Sequence, residues 1–199
     1  MARKRGKTPR RPARQRRALQ TVTFILDAAA QVLQREGYAA ANTNRIAAVA
    51  GVSVGTIYQY FADKEQIFDA VIRRELDGVL GVLKRLTVDA SESMTVGLKR
   101  LLELLVKARP DAPALYRSLE QVPNALFGRR VAEARGEVVA WIRTFLEAHR
   151  KEVTVRDLDV AAFILVAAAE GVAINASADL YRTGLADELA TVFTRYLAR

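Results

Sequence analysis

Residues 42–61, Asn42-Thr-Asn-Arg-Ile-Ala-Ala-Val-Ala-Gly-Val-Ser-Val-Gly-Thr-Ile-Tyr-Gln-Tyr-Phe61, constrain the fold more than any other stretch of the chain. They read as one short helix, a glycine-containing turn and a second short helix. Asn42 is a good N-cap for a helix that places Ile46, Val49 and Ala50 on one stripe. Gly51 stands where that helix must stop, and it tolerates the positive φ that such a stop often takes. Val52 is apolar and plugs the turn, and Ser53 caps the next helix. In that second helix Ile57 and Phe61 fall at i and i+4 and face inward.

The residues left pointing outward carry the chemistry. At about 100° per residue, Gly55 and Gln59 lie opposite Ile57, with Thr56 and Tyr58 on the flanks. A glycine and a threonine let the backbone approach another surface closely. Gln59 offers a donor–acceptor pair suited to adenine, and a tyrosine hydroxyl can bond a phosphate. A helix-turn-helix lays its second helix in a DNA major groove, and the turn, caps and polar face here agree with that arrangement. The bland alternative is an ordinary helical hairpin with an exposed tyrosine.

Charge points the same way. The first 17 residues hold Arg3, Lys4, Arg5, Lys7, Arg10, Arg11, Arg14, Arg16 and Arg17, and no acid. The rest of the chain balances its basic residues against its acids, so the net charge of +9 lives in this segment. Such a block repels itself and brings no apolar surface, which predicts a disordered arm over residues 1–17. Beside a duplex it neutralises phosphates or enters a minor groove. A solubilising tail is the plainer alternative.

Several classes of function fall away. The stretch from Ala18 to Leu33 has helical spacing interrupted by Gln20, Asp27 and Gln31, unlike a secretory signal. The longest apolar run, Val160 to Ala169, is about half a membrane span and ends at Glu170. A soluble, cytoplasmic and nucleoid-associated protein with no membrane partner is expected. There is no cysteine, which excludes disulfides and thiol redox sensing. One histidine, His149, cannot build a metal site without cysteines, and a solvated place at a helix end is expected for it. No Ser–His–Asp set, phosphate-cradling glycine loop or catalytic carboxylate pair emerges, so neither an enzyme nor a cofactor is expected.

The fold class is all-α. Among 199 residues, 51% hydrophobic, alternating strand patterns are absent. Glycines and prolines divide the chain into about nine helices, near 19–36, 43–50, 54–60, 64–86, 94–108, 112–121, 124–149, 157–180 and 185–198. The first three form a helix-turn-helix domain over 18–63, and 64–199 forms a helical regulatory and dimerisation domain. Helix 64–86 is the expected lever between them. In the body, Tyr116, Phe127, Trp141 and Phe145 are large aromatics that suit a core or, alternatively, a ligand pocket. Helix 157–180 is rich in small residues (Ala161, Ala162, Ala167, Ala168, Ala169, Gly171, Ala173, Ala176, Ala178). With the apolar face of the last helix (Leu185, Leu189, Val192, Phe193, Leu197) it suits a four-helix interface across a two-fold axis. Glu170 and Asn175 need partners if buried, from the dimer or from a ligand.

Ile25-Leu-Asp-Ala-Ala29, Glu36-Gly-Tyr38, Ile46-Ala47, Ala50-Gly-Val-Ser53, Gly55-Thr-Ile-Tyr58, Phe61 and Lys64-Glu65 resemble the N-terminal domain of TetR-family transcriptional regulators. The resemblance is ordered, spans about residues 21–68, and departs at Asn42, where Thr is usual, and at Leu33, where Phe is usual. It implies a homodimer that grips a palindromic double-stranded DNA operator and releases it when a small-molecule effector enters the body. It marks Thr43 as a phosphate contact. The expected DNA-facing set is Thr43, Asn44, Arg45, Ser53, Val54, Gly55, Thr56, Tyr58, Gln59, Tyr60 and Lys64. Asn44 and Arg45 reach toward base edges, Tyr58, Tyr60 and Lys64 toward phosphates, and Thr56 and Gln59 stand at or beside the bases. An activator or architectural protein without a ligand shares the same head, and so does a helical interaction module that has lost DNA binding.

Overall fold

The computed structural model describes residues 10–108, 112–177, 179–180 and 184–198. It is all-α, and no strand occurs among the described residues. Among the described residues nine helices are delimited in order: α1 (Arg10–Ala40), α2 (Thr43–Ala50), α3 (Val54–Tyr58), α4 (Lys64–Arg85), α5 (Met94–Ala108), α6 (Ala112–Leu119), α7 (Asn124–Ala148), α8 (Leu158–Asn175) and α9 (Leu185–Leu197). The chain separates into two compact units between Val71 and Ile72. The first turns of α4 thus belong to the first unit, whose core they complete with the fully buried Ile67, Phe68 and Val71.

The basic segment is only partly as expected. Residues 1–9 lie outside the described residues, but from Arg10 onward the backbone is helical. Arginine is a good helix former, and Pro12 falls in the first turn, where no N–H partner is needed. Helix nucleation supplied by the packed part of α1, from Ile25 on, extends outward through these residues. At its other end α1 is broken at Gly37, which takes φ 77° and ψ 168°. That break turns the chain toward α2.

In the first unit α1, α2 and α3 close around Ile25, Leu33, Ile46 and Ile57, all 0% exposed. In the second unit, α5 packs on α9, and α7 on α8. Their shared core includes Leu98, Leu146, Ala161, Ala162, Leu165 and Leu197. Gly97 on α5 allows a close approach in that core, because a Cβ there would stand 2.7 Å from Cε2 of Phe145 on α7. Helix ends are satisfied across the sequence. The Glu152 carboxylate accepts the Met94 N–H at the start of α5 at 3.1 Å. The Arg117 guanidinium donates to the Ile174 and Ala176 carbonyls where α8 stops.

Three body residues sit differently from expectation. His149 is buried, 3% exposed, because the chain turns back after α7 and lays the ring against Phe145 at 4.4 Å. Its Nδ1 lies 2.8 Å from the Phe145 carbonyl oxygen. Helix α8 ends at Asn175 rather than 180, with Ala176 in an extended conformation. Asn175 is exposed and its amide donates to the Gly171 carbonyl of its own helix at 2.7 Å, so it needs no distant partner.

Candidate DNA-contacting face and effector cavity

The turn between α2 and α3 is built by its caps. Asn42 Oδ1 accepts the Arg45 N–H at 2.9 Å, which occupies one of the free donors of the first turn. Gly51 closes α2 at φ 67°, a left-handed conformation that side chains resist, and its N–H reaches the Ala47 carbonyl. The Val52 N–H shares that carbonyl at 3.1 Å. Ser53 then caps α3, its Oγ accepting the Thr56 N–H at 3.0 Å. Between these fixed points Ile57 is wholly buried, and this sets which side of α3 faces outward.

That outward side carries Gly55 and Gln59, both exposed, and Tyr58, which is 56% exposed. Gln59 is the C-cap of α3 rather than an interior residue, since the helix stops at Tyr58. Tyr60 stands just past the helix and is exposed; Val54 and Thr56 are half-buried. Ser53 and Thr56 hydroxyls lie 2.8 Å apart, so both serve the cap before any partner. Thr43, at the start of α2, places its hydroxyl 3.4 Å from that of Tyr58. Two candidate phosphate ligands from different helices thus share one spot, with exposed Asn44 beside them on the first turn of α2.

Two of the expected contacts are already engaged. Arg45 is exposed, but its guanidinium grips Glu36 on α1, Nη2 to Oε1 at 2.7 Å and Nε to Oε2 at 3.0 Å. The hydrogen bond to Arg45 holds the Glu36 carboxyl below its ordinary pKa. Lys64 lies over the Tyr38 ring, 4.3 Å from its centroid, and donates to the Tyr38 and Ala41 carbonyls. It closes the carbonyl end that follows the Gly37 break, while Tyr38 packs on Phe68 at 5.2 Å. Neither role is visible from spacing along a single helix, because each joins α1 to a later element.

The second unit contains a cavity of about 330 Å³ bounded by α4, α5, α7, α8 and α9. Its walls are aliphatic, among them Leu80, Leu101, Leu102, Ile142 and Leu165, and Phe193 is the one aromatic among its lining residues. Charge enters through Glu120, Arg135 and Glu170. Arg135 clasps Glu170 with Nη2 to Oε2 at 2.7 Å and Nε to Oε1 at 3.1 Å. Of the residues expected to meet a ligand, Glu170 lines this cavity. Trp141, Phe145 and Asn175 do not line it; Trp141 stacks on Phe145 at 5.8 Å within the core. Tyr116 and Phe127 belong to α6 and α7, and their side chains lie outside the described residues. The cavity is made by leucines and valines at core spacing, so nothing in the sequence separates its lining from ordinary core.

The capped turn between α2 and α3 makes the first unit a helix-turn-helix domain, followed by a second all-α unit that holds a cavity. Residues 25–71 match the family model for bacterial regulatory proteins of the tetR family, and residues 94–197 match that for the tetracyclin repressor-like C-terminal domain. The chain belongs to the TetR family. An HTH-type transcriptional regulator of Staphylococcus aureus strain USA300 is 30% identical over 102 residues, 51% of this chain and 55% of that protein. The chain thus spans about half the length of the curated relatives it matches. Among solved structures, a TetR-like transcriptional regulator from Rhodococcus sp. RHA1 is 25% identical, with a TM-score of 0.67, over 88% of this chain and 94% of that one. NalD of Pseudomonas aeruginosa, the secondary repressor of the MexAB-OprM multidrug efflux pump, shares the fold at 19% identity and a TM-score of 0.70, over 90% and 98% of the two chains.

Proposed function

We propose that this chain is a cytoplasmic DNA-binding transcriptional regulator, a repressor that holds a palindromic operator as a homodimer and is released by a small-molecule effector. The observation that carries the reading is the capped turn with its outward Gly55, Tyr58 and Gln59 and the Thr43–Tyr58 pair. Hydroxyls from two helices converge there, while Gly55, Tyr58 and Gln59 stay exposed. Tyr58, Tyr60 and Thr43 take phosphates, and Gln59, Thr56 and Asn44 lie at or beside base edges. Arg45 and Lys64 act chiefly by fixing α2 and the end of α1, since their cationic groups are engaged within the head.

The dimer reading rests on α8. One face of this helix is core, through Ala161, Ala162, Leu165 and Val166. The opposite face is also apolar, with Val160, Phe163 and Ile164 exposed at 51%, 54% and 41%. A helix apolar all round is ordinarily buried all round. By length and composition α8 also meets the requirement for crossing a membrane, but its packed core face and the small, exposed Ala167 and Ala168 one turn beyond Phe163 and Ile164 favour a second copy. Val192 and Tyr196 on α9, exposed at 58% and 40%, offer the second helix that a four-helix interface needs.

An effector can release the operator only by binding one conformational state better than another. Selection of bound fragments from random duplex DNA should return sequences with two-fold symmetry, and titration of an effector should lower affinity for them. Recovery of no enriched sequence removes the DNA-binding reading. Enriched sequences with no inverted repeat remove the dimer on a palindrome.

A further inference from the structure

The lining of the cavity in the second unit restricts what can enter it. Resting on its reading as the effector site, we propose that the effector is an amphiphile with an aliphatic body and a single positively charged head. The walls, typified by Leu80, Leu101, Leu102 and Leu165, offer no side-chain hydroxyl or amide. A ligand polar along its length would give up hydrogen bonds to water there and gain none. A flat aromatic body would find one ring, Phe193, to pack on. A saturated chain loses nothing by entering.

The head follows from the charges. Arg135 is held by both oxygens of Glu170, so this pair is neutral as a unit. Glu120, just past α6, is exposed and makes no ion pair with a described residue. The lining therefore keeps one uncompensated negative charge. A carboxylate head would have to open the bidentate clasp and would then face two carboxylates. An ammonium head meets Glu120 while the clasp stays shut. Glu120 and Arg135 are exposed and Glu170 is about two-thirds covered, whereas Leu80, Leu101, Leu102 and Leu165 are buried. The head therefore belongs at the charged end and the chain beyond it.

Calorimetric titration of the full chain with dodecyltrimethylammonium, dodecanol and dodecanoate, each below its micelle-forming concentration, tests this. The cation should bind tightest and the carboxylate weakest. Glu120→Gln should weaken the cation about two- to fivefold, the worth of a solvent-screened pair, and leave dodecanol unchanged. Arg135→Gln frees Glu170 and should tighten the cation further. Ala169→Phe, which fills the cavity, should weaken all three. Tightest binding by dodecanoate, or a Glu120→Gln variant that binds the cation like the parent, overturns the charged-head assignment while the cavity survives as a ligand site. Failure of all three probes to bind overturns the effector-site reading itself. So does binding by a folded Ala169→Phe that matches the parent; should that variant not fold, the Arg135→Gln titration still decides the head.

Discussion

Two neighbouring residues divide the work of recognition proposed for the head. Tyr58 shares its position with Thr43, and a hydroxyl there suits phosphate, which every sequence offers. Tyr58→Phe should therefore weaken all duplexes alike, by about 0.5–1.5 kcal/mol for the removal of one hydrogen bond. Gln59 caps α3 and is exposed, with an amide suited to a base edge. Gln59→Ala should relax preference at one base position, by roughly 1–3 kcal/mol if the contact is bidentate. Parallel binding selections on the two variants check both expectations, and the opposite assignment would exchange the roles. Arg45 shows why a residue type alone is a poor guide: its charge is spent on Glu36, on the preceding helix.

Among the elements, α5 and α7 depend on one absent side chain. Phe145 lies under Gly97 and is held between Trp141, stacked at 5.8 Å, and His149 at 4.4 Å. The ring is 3% exposed and flanked on two sides, so it yields at a cost. Gly97→Ala, a change that ordinarily favours a helix, should here destabilise the second unit by about 1–3 kcal/mol through overpacking. Urea denaturation followed by Trp141 fluorescence reads this directly, and a variant as stable as the parent would mean that the helices move apart at little cost. The neighbouring Ala168 and Ala169 on α8 separate the two proposed roles of that helix. Ala168 is exposed on the outer face, whereas Ala169 is half-buried and lines the cavity.

At the scale of the whole molecule the two predictions concern assembly and charge. A single head reads few base pairs, so specificity in the proposed mechanism needs two heads at fixed separation. Ala168→Arg should split the dimer, preserve helical content and abolish specific operator binding while weak non-specific binding persists. Ala169→Arg, turned to the cavity, should disturb the dimer less and effector binding more. Sedimentation of both variants decides, and a fully dimeric Ala168→Arg would place the interface elsewhere. Deletion of residues 1–17 should leave folding intact, because the buried positions of α1 begin at Ile25. It should flatten the dependence of log affinity on log salt by about 0.9 for each phosphate that the segment no longer neutralises. An unchanged slope would reduce the segment to a solubilising tail.

The sequence by itself determined the parts governed by local physics. Asn42, Gly51 and Ser53 announce the turn because capping and left-handed φ depend on residues within one turn of each other, and each is found in that role. Most helix boundaries follow from glycine, proline and apolar period for the same reason, although α1 extends to Arg10 and α8 stops at Asn175. Residues Ile25 to Glu65 also carried the family resemblance, and the family models bear it out. Tertiary structure alone decided the rest. The Glu36–Arg45 grip, the seat of Lys64 on Tyr38 and the burial of His149 depend on how the chain folds back beyond a single helix. The cavity is the strongest case: a leucine that lines a void and one that fills a core have the same spacing and the same neighbours in sequence. Which of them borders empty space depends on where five helices fail to meet, and no single helix carries that information.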